Sequence, residues 1–244
     1  MADSSSVSTD ATKWRRSPRD EQVSKKQKTE LATFSDGKSL VTFLVGPGPT
    51  PIEFQVHKEV VCLHSDVLAA AFNGSLIEGQ TQTYRLEDTT ARAFRLFMQW
   101  LYSQKLKLTQ TRPDYESISE TDDKRDKLEE EEGMSLVELW VLADKFRMPV
   151  LQNAALDAMH LILMSPTGRI PTYAFEYIFK NTCVGSPLRK YTTKVCLEYV
   201  PPETLIACHA HFPRDLLFNM ALKILQDKRD NDPANFKASD FHVK

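Results

Sequence analysis

FQVHKEVVCLHSDVLAAAFNGSLIEGQTQTYRLEDTTARAFRLFMQWLYSQKL, residues 54–106, holds the changes of hydrophobic period that decide the fold. Phe54 and Val56 alternate with Glu53 and Gln55 as a half-buried strand does, and the alternation stops at His57. Val60, Val61, Leu68, Ala71 and Phe72 then recur at helical spacing, which predicts one amphipathic helix after the strand. Tyr84 and Leu86 return to alternation, and Phe94, Phe97, Met98 and Leu101 step by three and four along another helix. The order strand, helix, strand, helix implies an α+β fold with helices packed on a small sheet.

With a preceding strand over Val41-Thr42-Phe43-Leu44-Val45-Gly46, this run resembles the BTB/POZ domain. The residues that carry the resemblance are Phe54, Val56, His57, Lys58, Val61, Ser65, Leu68, Phe72, Leu86, Asp88, Phe94, Phe97, Trp100, Leu101 and Tyr102. It extends to about Met164, roughly half of the chain, and many spaced matches are more specific than one short motif. The resemblance implies a small mixed β-sheet flanked by helical hairpins and a non-enzymatic protein-protein interaction module that self-associates as a homodimer or heterodimer and scaffolds partner proteins. On the same basis Val41, Phe43, His57, Lys58, Phe94, Leu96, Trp100 and Tyr102 are the candidate interaction residues.

Composition bounds the alternatives. The chain has 244 residues, 41% of them hydrophobic, enough for one sizeable core or one core with a helical annex. No run approaches the roughly 18 consecutive apolar residues of a membrane span, and MADSSSVSTDATKWRR has no apolar stretch of the secretory kind. Cys62, Cys183, Cys196 and Cys208 are scattered without a C-x-x-C pair, which fits a reducing compartment. A nuclear or cytoplasmic protein without membrane contact is expected. Cys208-His209-Ala210-His211 brings zinc-binding types together, but a structural site needs a fourth ligand and separated pairs, so incidental polar residues are the preferred reading. No metal or other cofactor is expected.

Residues 1–37 are polar and charged and cannot repay the entropy of folding, so they read as a disordered basic, Ser-rich tail. Lys13, Arg15, Arg16 and then Lys25, Lys26, Lys28 resemble a two-part nuclear import signal with a short spacer; a solvated charged tail is the simpler account. Phosphorylation at Ser17-Pro18 would add negative charge beside those basic groups. Residues 38–165 form the domain. From Asp114 to Glu132, ten acidic residues face three basic ones, a local net charge of −7 that leaves the rest of the chain at +5 against −2 overall. Residues 110–133 are therefore expected to be an acidic, disordered insertion, a solvated spacer or a dock for a basic partner.

Beyond it, Ser135 with Glu138 three residues on has capping-box spacing, so a helix is expected to begin there. Leu136, Leu139, Trp140, Ala143 and Phe146 form one apolar stripe. Val150, Ala154, Ala155, Ala158 and Leu161 form another after Pro149, and the pair resembles the closing helical hairpin of the BTB family. Residues 166–230 continue as helices separated by prolines, with apolar faces at Ala174, Tyr177, Ile178 and Phe179, then at Leu188, Tyr191, Val195, Cys196 and Tyr199. A third face is expected at Leu216, Leu217, Met220, Ala221 and Leu225. The arrangement is similar to the short extension after many fungal BTB domains, with a flexible end at 231–244. No zinc-finger spacing accompanies it, so direct nucleic-acid reading is not expected.

Two departures from the family pattern bear on partners. Leu40 stands where the opening strand typically has Asp, so Lys58 loses an acidic neighbour and must find water or another anion. Cullin adaptors of the family often carry a hydrophobic-x-Glu step that aligns with Phe94-Arg95-Leu96, where Leu replaces Glu, and Ser103-Gln104 replaces Thr-Gly. A substrate adaptor of a cullin-RING ubiquitin ligase is thus the alternative function, and a nuclear, chromatin-associated role the second alternative. Enzymatic readings lack a motif: G-x-S-x-G, H-E-x-x-H and a phosphate loop are missing, and Gly46-Pro47-Gly48-Pro49 reads as a turn. His57 and His64 share helical spacing but have no completing acid or thiol, so His57 is read as buttressing or capping the helix start.

Overall fold

The computed structural model describes residues 32–112, 114–115, 122–166 and 168–231. The basic clusters and Ser17-Pro18 of the N-terminal tail, residues 116–121 of the acidic segment and the end after residue 231 lie outside the described residues. A three-stranded sheet has the order β2-β1-β3, with β1 spanning Leu40–Val45, β2 Ile52–His57 and β3 Thr83–Leu86. β1 runs antiparallel to β2, pairing Leu40 with His57 and Val45 with Ile52, and parallel to β3, pairing Thr42 with Thr83. The turn between β1 and β2 uses Gly46 at φ 107° and Gly48 at φ 83°, conformations that side-chain-bearing residues resist. Arg85 of β3 braces it by donating to the Gly48 carbonyl at 2.5 Å.

Alternation along β1 sorts its residues cleanly. Val41, Phe43 and Val45 are buried against the helices, while Leu40 is exposed and Thr42 and Leu44 are half-buried on the other face. The inner face meets α1 (Lys58–His64), α2 (Asp66–Asn73) and α4 (Ala91–Ser103) across a cluster of rings. Phe43 lies 5.7 Å from Phe72, 5.0 Å from Phe94 and 6.4 Å from Phe97, and Phe97 continues to Phe146 at 5.7 Å. This is the mixed sheet with packed helices that the change of period predicts.

The helix expected after His57 is two helices. They break at Ser65, which is 1% exposed, has extended backbone at φ −144° and accepts from the Leu68 amide at 3.1 Å as the N-cap of α2. Its hydroxyl also donates to the Phe146 carbonyl at 2.8 Å, tying this corner to a residue 81 positions away. Hydrophobic spacing runs on across the break because both helices bury Val60, Val61, Leu68 and Phe72 in one core. A short α3 (Ile77–Thr81) then leads into β3.

The acidic segment departs further from expectation. From Asp122 it is helical, and α5 runs Asp122–Lys145 without interruption. Ser135 is not a cap: it is buried inside α5, with its hydroxyl donating to the Glu131 carbonyl at 2.6 Å. The acidic side chains are held by groups distant in sequence. The Glu132 carboxylate accepts the amides of Thr109 at 2.6 Å and Gln110 at 3.0 Å, Glu129 accepts the Tyr115 hydroxyl at 2.7 Å, and Asp126 pairs with Arg169 at 2.6 Å. Glu131 pairs with Arg92 of α4. α6 (Pro149–Leu163) starts at its proline as expected and packs on α5 after a turn in which Arg147 takes φ 52°.

Among the described residues four α-helices follow, α7 (Phe175–Asn181), α8 (Pro187–Tyr199), α9 (Pro202–Ala207) and α10 (Arg214–Asn231). Arg189 of α8, 7% exposed, ties α7, α8 and α10 together. Its guanidinium donates to the carbonyls of Phe179 and Thr182 at the end of α7, donates to the Thr182 hydroxyl at 3.0 Å, stacks 4.9 Å from the Phe179 ring and faces Asp215 of α10 at 3.7 Å. The first apolar face is buried at Ala174, Ile178 and Phe179, and the second at Leu188, Val195 and Cys196. The third is corrected by the structure: Leu216 is buried and Met220 half-buried, but Leu217 and Leu225 are exposed. No helix among the described residues is long and apolar enough to cross a membrane.

Two substitutions probe these contacts. Ser65→Ala removes both a cap and a buried donor, and is expected to cost about 1–3 kcal/mol in urea denaturation. Glu138 of α5 is 8% exposed and accepts from the hydroxyl of Thr90, the N-cap of α4; burial pushes its carboxyl above the usual range, against the pull of that hydrogen bond. A carboxyl raised on folding is penalised when ionised, so the penalty acts above its folded pKa and fades as acid protonates it. Glu138→Gln is therefore expected to stabilise the protein near pH 7 and to lose that advantage at acidic pH, as urea midpoints at the two pH values would show.

Candidate interaction surface

The eight candidate residues divide by depth. Val41, Phe43 and Phe94 are fully buried and Trp100 is 3% exposed, so these four build the core. Trp100 faces inward against the His64 ring at 5.4 Å. His57, Lys58 and Leu96 are half-buried, and Tyr102 is 45% exposed.

His57 and Tyr102 are brought together although 45 residues separate them. The Tyr102 hydroxyl accepts the His57 amide at 3.1 Å and lies 2.8 Å from Nδ1 of the same residue, which closes the end of β2 onto the last turn of α4. His57 precedes α1 without a side-chain cap, so it buttresses this junction and does not cap the helix. The exposed ring of Phe34 meets His57 edge-on at 5.2 Å, and Leu40 is its cross-strand partner, 40% exposed. Phe34, Leu40, His57 and Tyr102 thus form one apolar and aromatic patch at the β1–β2 end of the sheet. Phe34 was not legible as part of it, since it lies within the segment read as tail.

His64 sits elsewhere. Burial lowers its pKa, and its Nε2 lies 3.2 Å from the Gln104 amide. Gln104 takes φ 54° at the end of α4, the backbone state for which the family's glycine is suited, and its side chain compensates by donating to the Trp100 carbonyl at 3.0 Å. The two histidines therefore have separate structural partners.

Lys58, left without the acidic neighbour, donates to the Phe72 carbonyl at 2.9 Å, where the negative end of α2 receives it. Gln82 donates to the same carbonyl at 3.0 Å. The ammonium is thus satisfied by a helix end, and Leu40 presents an apolar surface where an acid would stand. In the Phe94-Arg95-Leu96 step, Phe94 is core, Arg95 lies 5.9 Å from the Phe54 ring and Leu96 presents no carboxylate.

Cys208, His209 and His211 also go separate ways. His209 Nδ1 meets the Ile206 carbonyl at 3.1 Å, and His211 Nδ1 meets the Thr172 hydroxyl at 3.0 Å. Among the described residues no three His, Cys, Asp or Glu side chains are grouped to hold a metal ion. All four cysteines are free thiols, and burial pushes Cys196 up to about 12, far from the thiolate that nucleophilic chemistry requires.

No curated protein matches the chain. Residues 39–160, half of the chain, match the BTB/POZ domain. That span runs from the start of β1 through nearly all of α6, the elements that carry the mixed sheet, the ring cluster and, apart from Phe34, the exposed patch. The chain belongs to the BTB/POZ domain family, whose members are generally non-catalytic protein-protein interaction modules.

Proposed function

We propose that the protein self-associates through its BTB domain and scaffolds partner proteins in the nucleus or cytoplasm. The observation that supports this best is the exposed patch of Phe34, Leu40, His57 and Tyr102, two of whose members leave more than 40% of their surface in water. Clustered exposed apolar groups mark association surfaces, and a patch that includes the end of a central strand suits a two-fold contact in which the same surface meets its copy. The family's acidic residue would place charge at Leu40; its absence here suits an apolar contact more than recognition of a charged partner.

Light scattering on the purified chain at micromolar concentration is expected to give the mass of a dimer. Phe34→Asp combined with Leu40→Lys should shift it to a monomer without loss of helical circular dichroism. A monomeric wild-type chain at tens of micromolar would overturn the proposal.

The cullin-adaptor reading makes a different demand, since a ligase adaptor must hold the cullin N-terminal domain. With Leu96 in place of the acidic residue, we expect no binding to that domain at tens of micromolar, a level corresponding to about −6 kcal/mol. Titration calorimetry that detects tighter binding would establish the adaptor role instead.

A further inference from the structure

The residues of α10 beyond Leu216 present an unusual surface. Phe218 is 65% exposed, Leu222 44% and Leu225 59%, and their spacing of four and three places them on one stripe. Across from this stripe stand Leu197 of α8 and Val184, which precedes α8 and is 88% exposed. The groove between them encloses about 650 Å³. Such a stripe costs free energy in water and is the pattern by which grooves take the i, i+3/4, i+7 anchors of a helix.

The rim of this groove is basic. Arg189, Lys190 and Lys194 of α8 and Lys223 of α10 line it together with Asp215, the one acidic group among the described lining residues, and Glu198 and Asp227 stand beside it. Arg189 is committed to α7, but Lys190, Lys194 and Lys223 are exposed. Lys194 and Lys223 rest on Glu198 and Asp227 of their own helices, surface pairs one turn apart that exchange readily for other carboxylates. The acidic helix of a second copy is a poor occupant, because Asp126, Glu129, Glu131 and Glu132 are already held within their own chain.

We propose that the α8–α10 groove docks an acidic amphipathic helix of a partner protein, its apolar stripe on Phe218 and Leu222 and its carboxylates on Lys190, Lys194 and Lys223. This rests on the reading of the chain as an interaction module but uses a surface separate from the self-association patch.

The test uses the full chain and two synthetic helical peptides of about 20 residues. They share one Leu stripe, flanked by Glu in the first and by Lys in the second. In fluorescence anisotropy the Glu peptide is expected to bind at least about tenfold more tightly than the Lys peptide, and more tightly still at low salt. Lys190→Glu with Lys194→Glu, both exposed positions, should reverse the preference, and Phe218→Ser should abolish binding of both peptides. The Phe34→Asp, Leu40→Lys variant should bind the Glu peptide as wild type does, so that failure of self-association and failure of the groove are told apart. Equal affinity of the two peptides, or no response to the lysine reversals, would overturn the proposal. So would a halving of the solution mass by Phe218→Ser, which would make the groove a self-interface. Binding seen only after removal of residues 232–244 would also overturn it, by showing the chain's own end as the occupant.

Discussion

Phe43 is the point on which the domain turns. It lies on the middle strand and faces the helices, so its ring reaches Phe72 from α2, Phe94 and Phe97 from α4, and Tyr84 from the neighbouring β3 at 6.0 Å. Each ring pair adds about 0.5–1.5 kcal/mol beyond the area it buries. The cluster extends through Phe97 and Tyr84 to Phe146 at the end of the α5 packing face. Phe146 also closes the circuit through its backbone, because its carbonyl receives the hydroxyl of Ser65. One apolar cluster and one buried hydrogen bond thus join the sheet, the α1–α2 corner and the α5–α6 hairpin.

The exposed groups of the domain follow from that commitment. Burying Val41, Phe43, Phe94 and Trp100 leaves Leu40, His57 and Tyr102 on the opposite side or at the ends of the same elements. Their positions are therefore determined by the core although none belongs to it. The second surface has another origin. The buried Arg189 gathers the ends of α7 and α8 and the start of α10, and the remainder of α10 extends beyond this tie with its apolar residues exposed.

The acidic segment shows how far local composition misleads. A run of carboxylates in isolation repels itself and stays solvated, which is the reading its sequence supports. In the folded chain Arg92, Arg169, Tyr115 and the amides of Thr109 and Gln110 converge on it, and the charges become anchors for the first turns of α5. Ser135 lies inside a helix for a related reason. A capping box is a local signal, and it competes here with a helix whose earlier turns are stabilised by residues from outside the segment.

The sequence by itself determined the strands, the α+β class, the family and most of the core, because burial imposes the periods 2 and 3.6 on the order of residues wherever one face is covered. It also exposed Leu40 and Leu96 as places where the chain departs from the family pattern. Tertiary structure alone decided the break at Ser65, the helix over the acidic residues, the partner of Lys58 and the exposed stripe of α10. Each depends on groups far apart in the chain: a Phe146 carbonyl 81 positions from Ser65, an Arg169 guanidinium 43 from Asp126, a helix end 14 from Lys58. Hydrophobic period records whether a residue is to be covered. What covers it is a property of the fold, which is why Leu216 and Leu225 look alike in the sequence and only the first is buried.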